Sequence, residues 1–223
     1  MRVLLPFYFC LTLMEVQSVF KLKPIHILPR PSDNIYLGKP LFLTSLLEKG
    51  NYATAQYLSK VEPNIGNILS YSGFFTVNKN CDSHLFFWFF PAQKDNWKDA
   101  PLLLWLDGGP GSTSLHGVFD RQGPFTSYKE GLRKRKYSWN VKNNYLIIDQ
   151  PVGTGYSFTG KHCYPTNETA VGEELYQAVL QFHQLFPNFQ KGKFFISGSS
   201  YAGHYIPALG HMILKYFSTR RLR

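Results

Sequence analysis

Apolar residues along the chain fall into two rhythms. YSGFFTV (71–77) and HLFFWFFPA (84–92) are dense in Phe, Trp, Tyr and Val, the side chains that suit a pleated, buried surface. Between them Asn78, Lys79, Asn80, Cys81 and Asp82 carry turn chemistry, so the pair predicts an antiparallel hairpin. PLLLWL (101–106) and YLIID (145–149) are apolar runs of the kind that form strands covered on both faces. The first runs into the glycine-rich DGGPGSTS (107–114), the second into QPVGTG (150–155). Over 168–186 the rhythm changes: Val171, Leu175, Ala178, Val179, Phe182 and Phe186 recur at helical spacing. FFIS (194–197) then predicts one more buried strand, followed by Gly198 and a helix from Tyr201 to about Phe217. Ahead of the hairpin, 42–57 predicts partial helix, and the Pro- and Lys-rich lead (21–36) is expected to wrap the surface.

Strands alternating with helices imply an α/β protein with a mostly parallel sheet and an antiparallel edge hairpin. No repeat or linker interrupts residues 19–223, which read as one domain. The first 18 residues carry Arg2, an apolar stretch over 3–14 and a break at Glu15, a pattern that predicts a cleaved signal peptide. A span of the bilayer needs about 20 apolar residues, so no membrane span is expected. Entry into the secretory pathway would make Asn167, in Asn167-Glu168-Thr169, a glycosylation acceptor. It would also leave the mature chain with Cys81 and Cys163, which could close a disulfide or stay as two thiols.

The 223 residues carry a formal charge of +10. RKRK (133–136) and the terminal Arg220, Arg221 and Arg223 are its densest clusters. Neither belongs to a nucleic-acid module, so they read as a solvated loop and a tail, with no nucleic-acid partner. No metal or cofactor is expected.

The chemistry centres on GSSYAGHYIP (198–207). A serine between a buried strand and a helix, flanked by small residues, can sit on a strained turn with its hydroxyl exposed. Ser200 has Gly198 two residues before it and Ala202 and Gly203 after it, a variant of G-x-S-x-G. The helix that follows aims the Tyr201 N–H at the site. DGGPG supplies a second donor: Gly108 leaves room for a substrate carbonyl and the Gly109 N–H is the candidate.

Taken together, YSGFFTV, LFFWFFPAQ (85–93), PLLLWLDGGPGSTS, IIDQPVGTGYSF (147–158) and GSSYAGHYIP resemble the serine carboxypeptidases, especially their vitellogenic-like branch. The resemblance implies an α/β-hydrolase fold, a secreted or lysosomal enzyme, and release of C-terminal residues from peptides through an acyl-enzyme. It implies Ser200 as nucleophile and the Gly109 and Tyr201 N–H groups as oxyanion hole. A lipase or other esterase would share the elbow but fits DGGPG and QPVGTGYSF less well.

Three positions depart from the family pattern. Ser199 stands where Glu is usual, Arg121 stands where Glu is usual two residues before Gly123-Pro124, and Asp107 stands for Asn or Gln. With Gly108, these positions face the C-terminal carboxylate of a peptide in the family. A buried Asp107 would be costly alone, so pairing with Arg121 is expected.

In this fold the triad runs serine, acid, histidine along the chain. After Ser200 come His204 and His211 but no Asp or Glu. His116 and His183 lie on apparent helices away from the site. The expectation is therefore the N-terminal half of the fold, truncated after the elbow, with little or no activity alone; a non-catalytic peptide-binding protein is the alternative. The nucleophile strand would then be a sheet edge open to a covering partner.

Overall fold

A computed structural model describes residues 39–129 and 131–221, with side chains as far as Tyr216. The expected signal segment and lead lie outside the described residues, as does Arg223. Helices α1 (Thr44–Glu48) and α2 (Tyr52–Ser59) precede the hairpin of β1 (Tyr71–Asn78) and β2 (Ser83–Phe90). Next come β3 (Leu102–Leu106), α3 (Leu115–Phe119), a short ribbon of β4 (Phe125–Tyr128) and β5 (Gly131–Lys134), then β6 (Asn144–Ile148) and β7 (Phe158–Thr159). The chain closes on α4 (Glu168–Leu185), β8 (Phe194–Gly198) and α5 (Ala202–Arg221).

The main sheet runs β1-β2-β6-β3-β8, with β7 extending the pairing of β2. β6, β3 and β8 are mutually parallel, whereas β1 and β2 are antiparallel to each other and β2 is antiparallel to β6. This is the mixed sheet expected from the sequence. Alternation within each strand divides the core in two. Phe87, Phe89, Leu104, Leu106, Leu146 and Ile148 face α4 and α5, while Trp88, Phe90, Trp105, Tyr145 and Ile147 face Val118 and Phe125. Both faces are covered, which is why the strands read as unbroken apolar runs.

Aromatic rings tie α4 to the hairpin. Phe89 lies 5.1 Å from Phe182 and 4.8 Å from Phe186, centroid to centroid. All three are buried, and each such side chain contributes about 2–3 kcal/mol by leaving water. Helix α4 starts where Asn167 Oδ1 accepts the Ala170 N–H at 2.9 Å, an N-cap.

The fold departs from the sequence reading in several places. The segment at 42–57 forms two helices, and β2 ends at Phe90 because Pro91 cannot donate to the ladder. The cluster at 133–136 is not a loop: Arg133 and Lys134 belong to β5, and Arg135 turns inward. Its guanidinium donates to the carbonyls of Phe119, Gly123 and Phe125 at 3.0–3.1 Å. Of the two states left open for Cys81 and Cys163, the disulfide is the one formed, with their Cα atoms 5.6 Å apart.

Glu174 on α4 is half-buried, with one carboxylate oxygen out of reach of solvent. Its Oε2 has no hydrogen-bond partner among the described residues, and burial pushes its pKa from the usual 4.5 to about 7. Between those values the folded chain binds more protons than the unfolded one, so this group makes stability fall as pH rises from about 4.5 to 7. Glu174→Gln is expected to raise the thermal midpoint at neutral pH, to change it little near pH 4.5, and to flatten the pH dependence between. Thermal unfolding followed by circular dichroism across that window checks it.

Candidate active site

The parallel strands β3, β6 and β8 deliver their C-terminal ends to one edge of the sheet, where open α/β sheets hold their ligands. Ser200 stands there, between β8 and α5, with φ 57. A non-glycine residue in the left-handed region is strained, and that strain lifts the side chain out of the turn. Bonds from Gly203 N to Ser200 O at 2.9 Å and from Ala202 N to Ser199 O at 3.1 Å hold the turn. Ser200 is exposed, and its Oγ makes no hydrogen bond among the described residues.

Close packing dictates the small residues around it. A Cβ on Gly198 would lie 2.5 Å from both Ala202 Cβ and Leu106 O. One on Gly108 would lie 2.5 Å from Tyr201 N, 2.6 Å from Ser199 O and 3.1 Å from Ser200 Cβ. The glycine loop after β3 therefore lies directly against the elbow. Neither the Gly109 N–H nor the Tyr201 N–H finds an acceptor among the described residues. Two unpaired backbone donors beside an exposed serine suit an oxyanion.

Asp149, at the end of β6, shapes that loop from below. Its Oδ1 accepts the Thr113 hydroxyl at 2.7 Å and the Ser114 N–H at 2.8 Å, and its Oδ2 accepts the Tyr156 N–H at 3.0 Å. Ser114 Oγ in turn accepts the Asp107 N–H at 3.1 Å. Burial pushes the Asp149 carboxyl up, and the bonds from Thr113, Tyr156 and Ser114 pull it back. Sequence reasoning placed Asp149 only as the last residue of a strand; its position between two glycine-rich loops was the available signal.

Asp107 and Arg121 meet. Arg121 Nη2 donates to Asp107 Oδ1 at 3.3 Å, and Nε lies 3.2 Å from Oδ2 as a charge contact outside hydrogen-bond alignment. Asp107 is buried, with a side chain 5% exposed, whereas that of Arg121 is 44% exposed and lies 6.0 Å over the Trp105 ring. The pair thus puts a cation at the rim and its counter-charge on the floor. Gly108 N also donates to Asp107 Oδ1 at 3.2 Å. Ser199 lies half-buried in the elbow between Gly198 and Ser200.

Glu168 was not foreseen at the site. The Tyr201 hydroxyl donates to its Oε1 at 3.0 Å, linking the first residue of α4 to the residue that carries an unpaired N–H. His204 is exposed and stacks on the Tyr201 ring at 4.4 Å, not on Ser200. His183 Nδ1 bonds the Val179 carbonyl at 2.9 Å and His116 Nδ1 bonds Asp120 at 2.8 Å, so both are engaged elsewhere. Asn167 is exposed, with its Oδ1 in the cap of α4. Among the described residues no cluster of His, Cys, Asp or Glu could hold a metal ion.

A serine on a left-handed strand-to-helix turn, with a glycine loop packed against it on a mixed sheet, defines an α/β-hydrolase fold and its elbow. The serine carboxypeptidase family profile matches residues 62–221, and the chain belongs to that family. It is 49% identical over 182 residues to a venom serine carboxypeptidase of Apis mellifera, covering 80% of this chain and 39% of the relative. It is 46% identical over 187 residues to the vitellogenic carboxypeptidase of Aedes aegypti, covering 82% of this chain and 39% of the relative. The crystal structure of Kex1(delta)p, a prohormone-processing carboxypeptidase from Saccharomyces cerevisiae, superposes with a TM-score of 0.67 at 29% identity. That match covers 73% of this chain and 40% of that one. The chain therefore spans about two fifths of the length of the relatives it matches.

Asp149→Ala strands the buried N–H of Ser114 and frees the Tyr156 N–H and the Thr113 hydroxyl. The expected loss is on the order of 3 kcal/mol, since each buried polar group left unpaired costs about 1–3 kcal/mol. Chemical denaturation measures it.

Proposed function

We propose that this chain carries the nucleophile and oxyanion half of a serine carboxypeptidase site, acting on peptide or protein C-termini. Ser200 Oγ would attack the last peptide carbonyl, the Gly109 and Tyr201 N–H groups would hold the resulting oxyanion, and the C-terminal residue would leave as the amine. Water would then release the acyl group from Ser200. The observation that carries the reading is the exposed Ser200 at φ 57 beside two unpaired backbone N–H groups.

Attack also needs an acceptor for the Ser200 proton. Among the described residues no histidine bonds Ser200, and His204 is committed to Tyr201. Without a base to take that proton, an oxyanion site keeps only the modest catalysis of binding and oxyanion stabilisation, so slow acylation is expected of the described residues by themselves. The same observation favours a second reading, a non-catalytic carboxypeptidase-like protein that binds peptides.

At the carboxylate end we assign Arg121 as the receiving cation, with Asp107, Gly108 and Ser199 around it. Asp107 engages Nη2 and Nε, which leaves Nη1 for an incoming carboxylate. The Cys81–Cys163 disulfide and the exposed Asn167, whose Nδ2 is not used in the cap, fit a secreted or lysosomal route. The outer edge of β8, with Phe195 exposed beside it, is assigned to a covering strand or partner.

A fluorophosphonate probe separates the two readings. Slow labelling of Ser200, abolished in Ser200→Ala, is the expected outcome for the enzyme half; no labelling with retained peptide binding favours the binding protein. Rapid labelling would sink the claim that the described residues do not activate Ser200 by themselves. For the carboxylate end, Arg121→Gln is expected to weaken binding of peptide acids by about tenfold or more relative to peptide amides, the scale of one charge-assisted bond. Asp107→Asn, which removes the competing anion, is expected to strengthen it. Calorimetric titration of an acid and amide pair of one peptide reads both.

A further inference from the structure

We propose that the β4–β5 ribbon and the segment after it form a docking surface for an anionic phospholipid membrane, touched peripherally. This surface is distinct from the elbow and does not depend on the catalytic reading. Tyr128, Leu132, Tyr137, Trp139 and Val141 are all exposed, Tyr137 at 81%. A contiguous stretch so rich in exposed apolar side chains marks an interaction surface rather than ordinary solvated chain. Lys129, Arg133, Lys134, Lys136 and Lys142 are interleaved with them and exposed. From 125 to 148 the sequence contains six Lys and Arg residues against one acid, Glu130.

The aromatic and basic groups are joined. Arg133 lies 4.6 Å over the Tyr128 ring and Lys136 5.2 Å over the Tyr137 ring. Aromatic rings with a polar edge settle at the headgroup level, while Lys and Arg stems lie along apolar surface and send their charges to phosphate. A polyanion such as RNA or a sulfated glycan would use the cations but give Leu132 and Val141 nothing to bury against. Lipid uses both, and the observations favour it.

The ribbon is also anchored, so binding need not order it first. Arg135 ties its root to three carbonyls, the Trp139 N–H donates to Gln122 O at 2.9 Å, and the Trp139 ring packs at 5.8 Å against Trp105. No helix among the described residues is long and apolar enough to cross a membrane.

Flotation of the full chain with vesicles tests the idea. Binding is expected to equimolar phosphatidylserine and phosphatidylcholine, to be absent from phosphatidylcholine alone, and to weaken with added salt. Lys134→Gln with Lys136→Gln should lower partitioning by about fivefold per cation. Tyr137→Ser, at an exposed position that leaves the fold intact, should lower it as well. Lys191→Gln with Lys193→Gln removes the same charge from another part of the surface and should leave binding unchanged. The proposal is overturned if both double variants lose binding equally, if Tyr137→Ser has no effect, or if heparin or RNA binds while vesicles do not.

Discussion

The arrangement of the site rests on one steric constraint: the backbone at Gly108 lies against the elbow so closely that no side chain fits between them. Everything around the serine follows from that approach. Gly198 must be bare to let β8 turn beneath α5, Ser200 takes a left-handed backbone, and the loop after β3 leaves the Gly109 N–H unpaired beside it. A parallel sheet makes this possible because it brings the ends of β3 and β8 to adjacent positions on the same edge.

Charge is arranged around that contact in layers. Asp149 is fully buried and satisfied by donors from two loops, so it works as an internal clamp. Asp107 is also buried but meets Arg121, which reaches the rim. A carboxylate without such partners would be expensive at either place. The pair further fixes the polarity of the entrance, since a ligand meets a guanidinium before it meets an acid.

Much of this was legible in the residues. Strands covered on both faces must be apolar at every position, so PLLLWL and YLIID announced themselves, and the helical spacing from Val171 to Phe186 did the same for α4. The expected pairing of Asp107 with Arg121 followed from the cost of a lone buried charge. What stayed hidden depends on contacts between distant residues. The Tyr201 to Glu168 bond spans 33 positions, and nothing local to either residue signals it. The β4–β5 ribbon was missed because exposed strands carry no apolar period, and the inward turn of Arg135 cannot be told from its neighbours by composition.

The Cys81–Cys163 bond lies at the same end of the sheet as the elbow, because the β1–β2 turn extends past the C-terminal end of β6. It closes the stretch between β6 and α4 onto the hairpin, and that stretch contains Tyr156, a donor to Asp149. The same stretch is also held to the hairpin without the disulfide, by the β7–β2 pairing and by bonds from Thr159 Oγ1 to the Cys81 carbonyl and from Gly160 N to the Asp82 carbonyl. One short segment thus has two jobs, closing covalently onto the hairpin at Cys163 and reaching from Tyr156 to the carboxylate beneath the oxyanion loop.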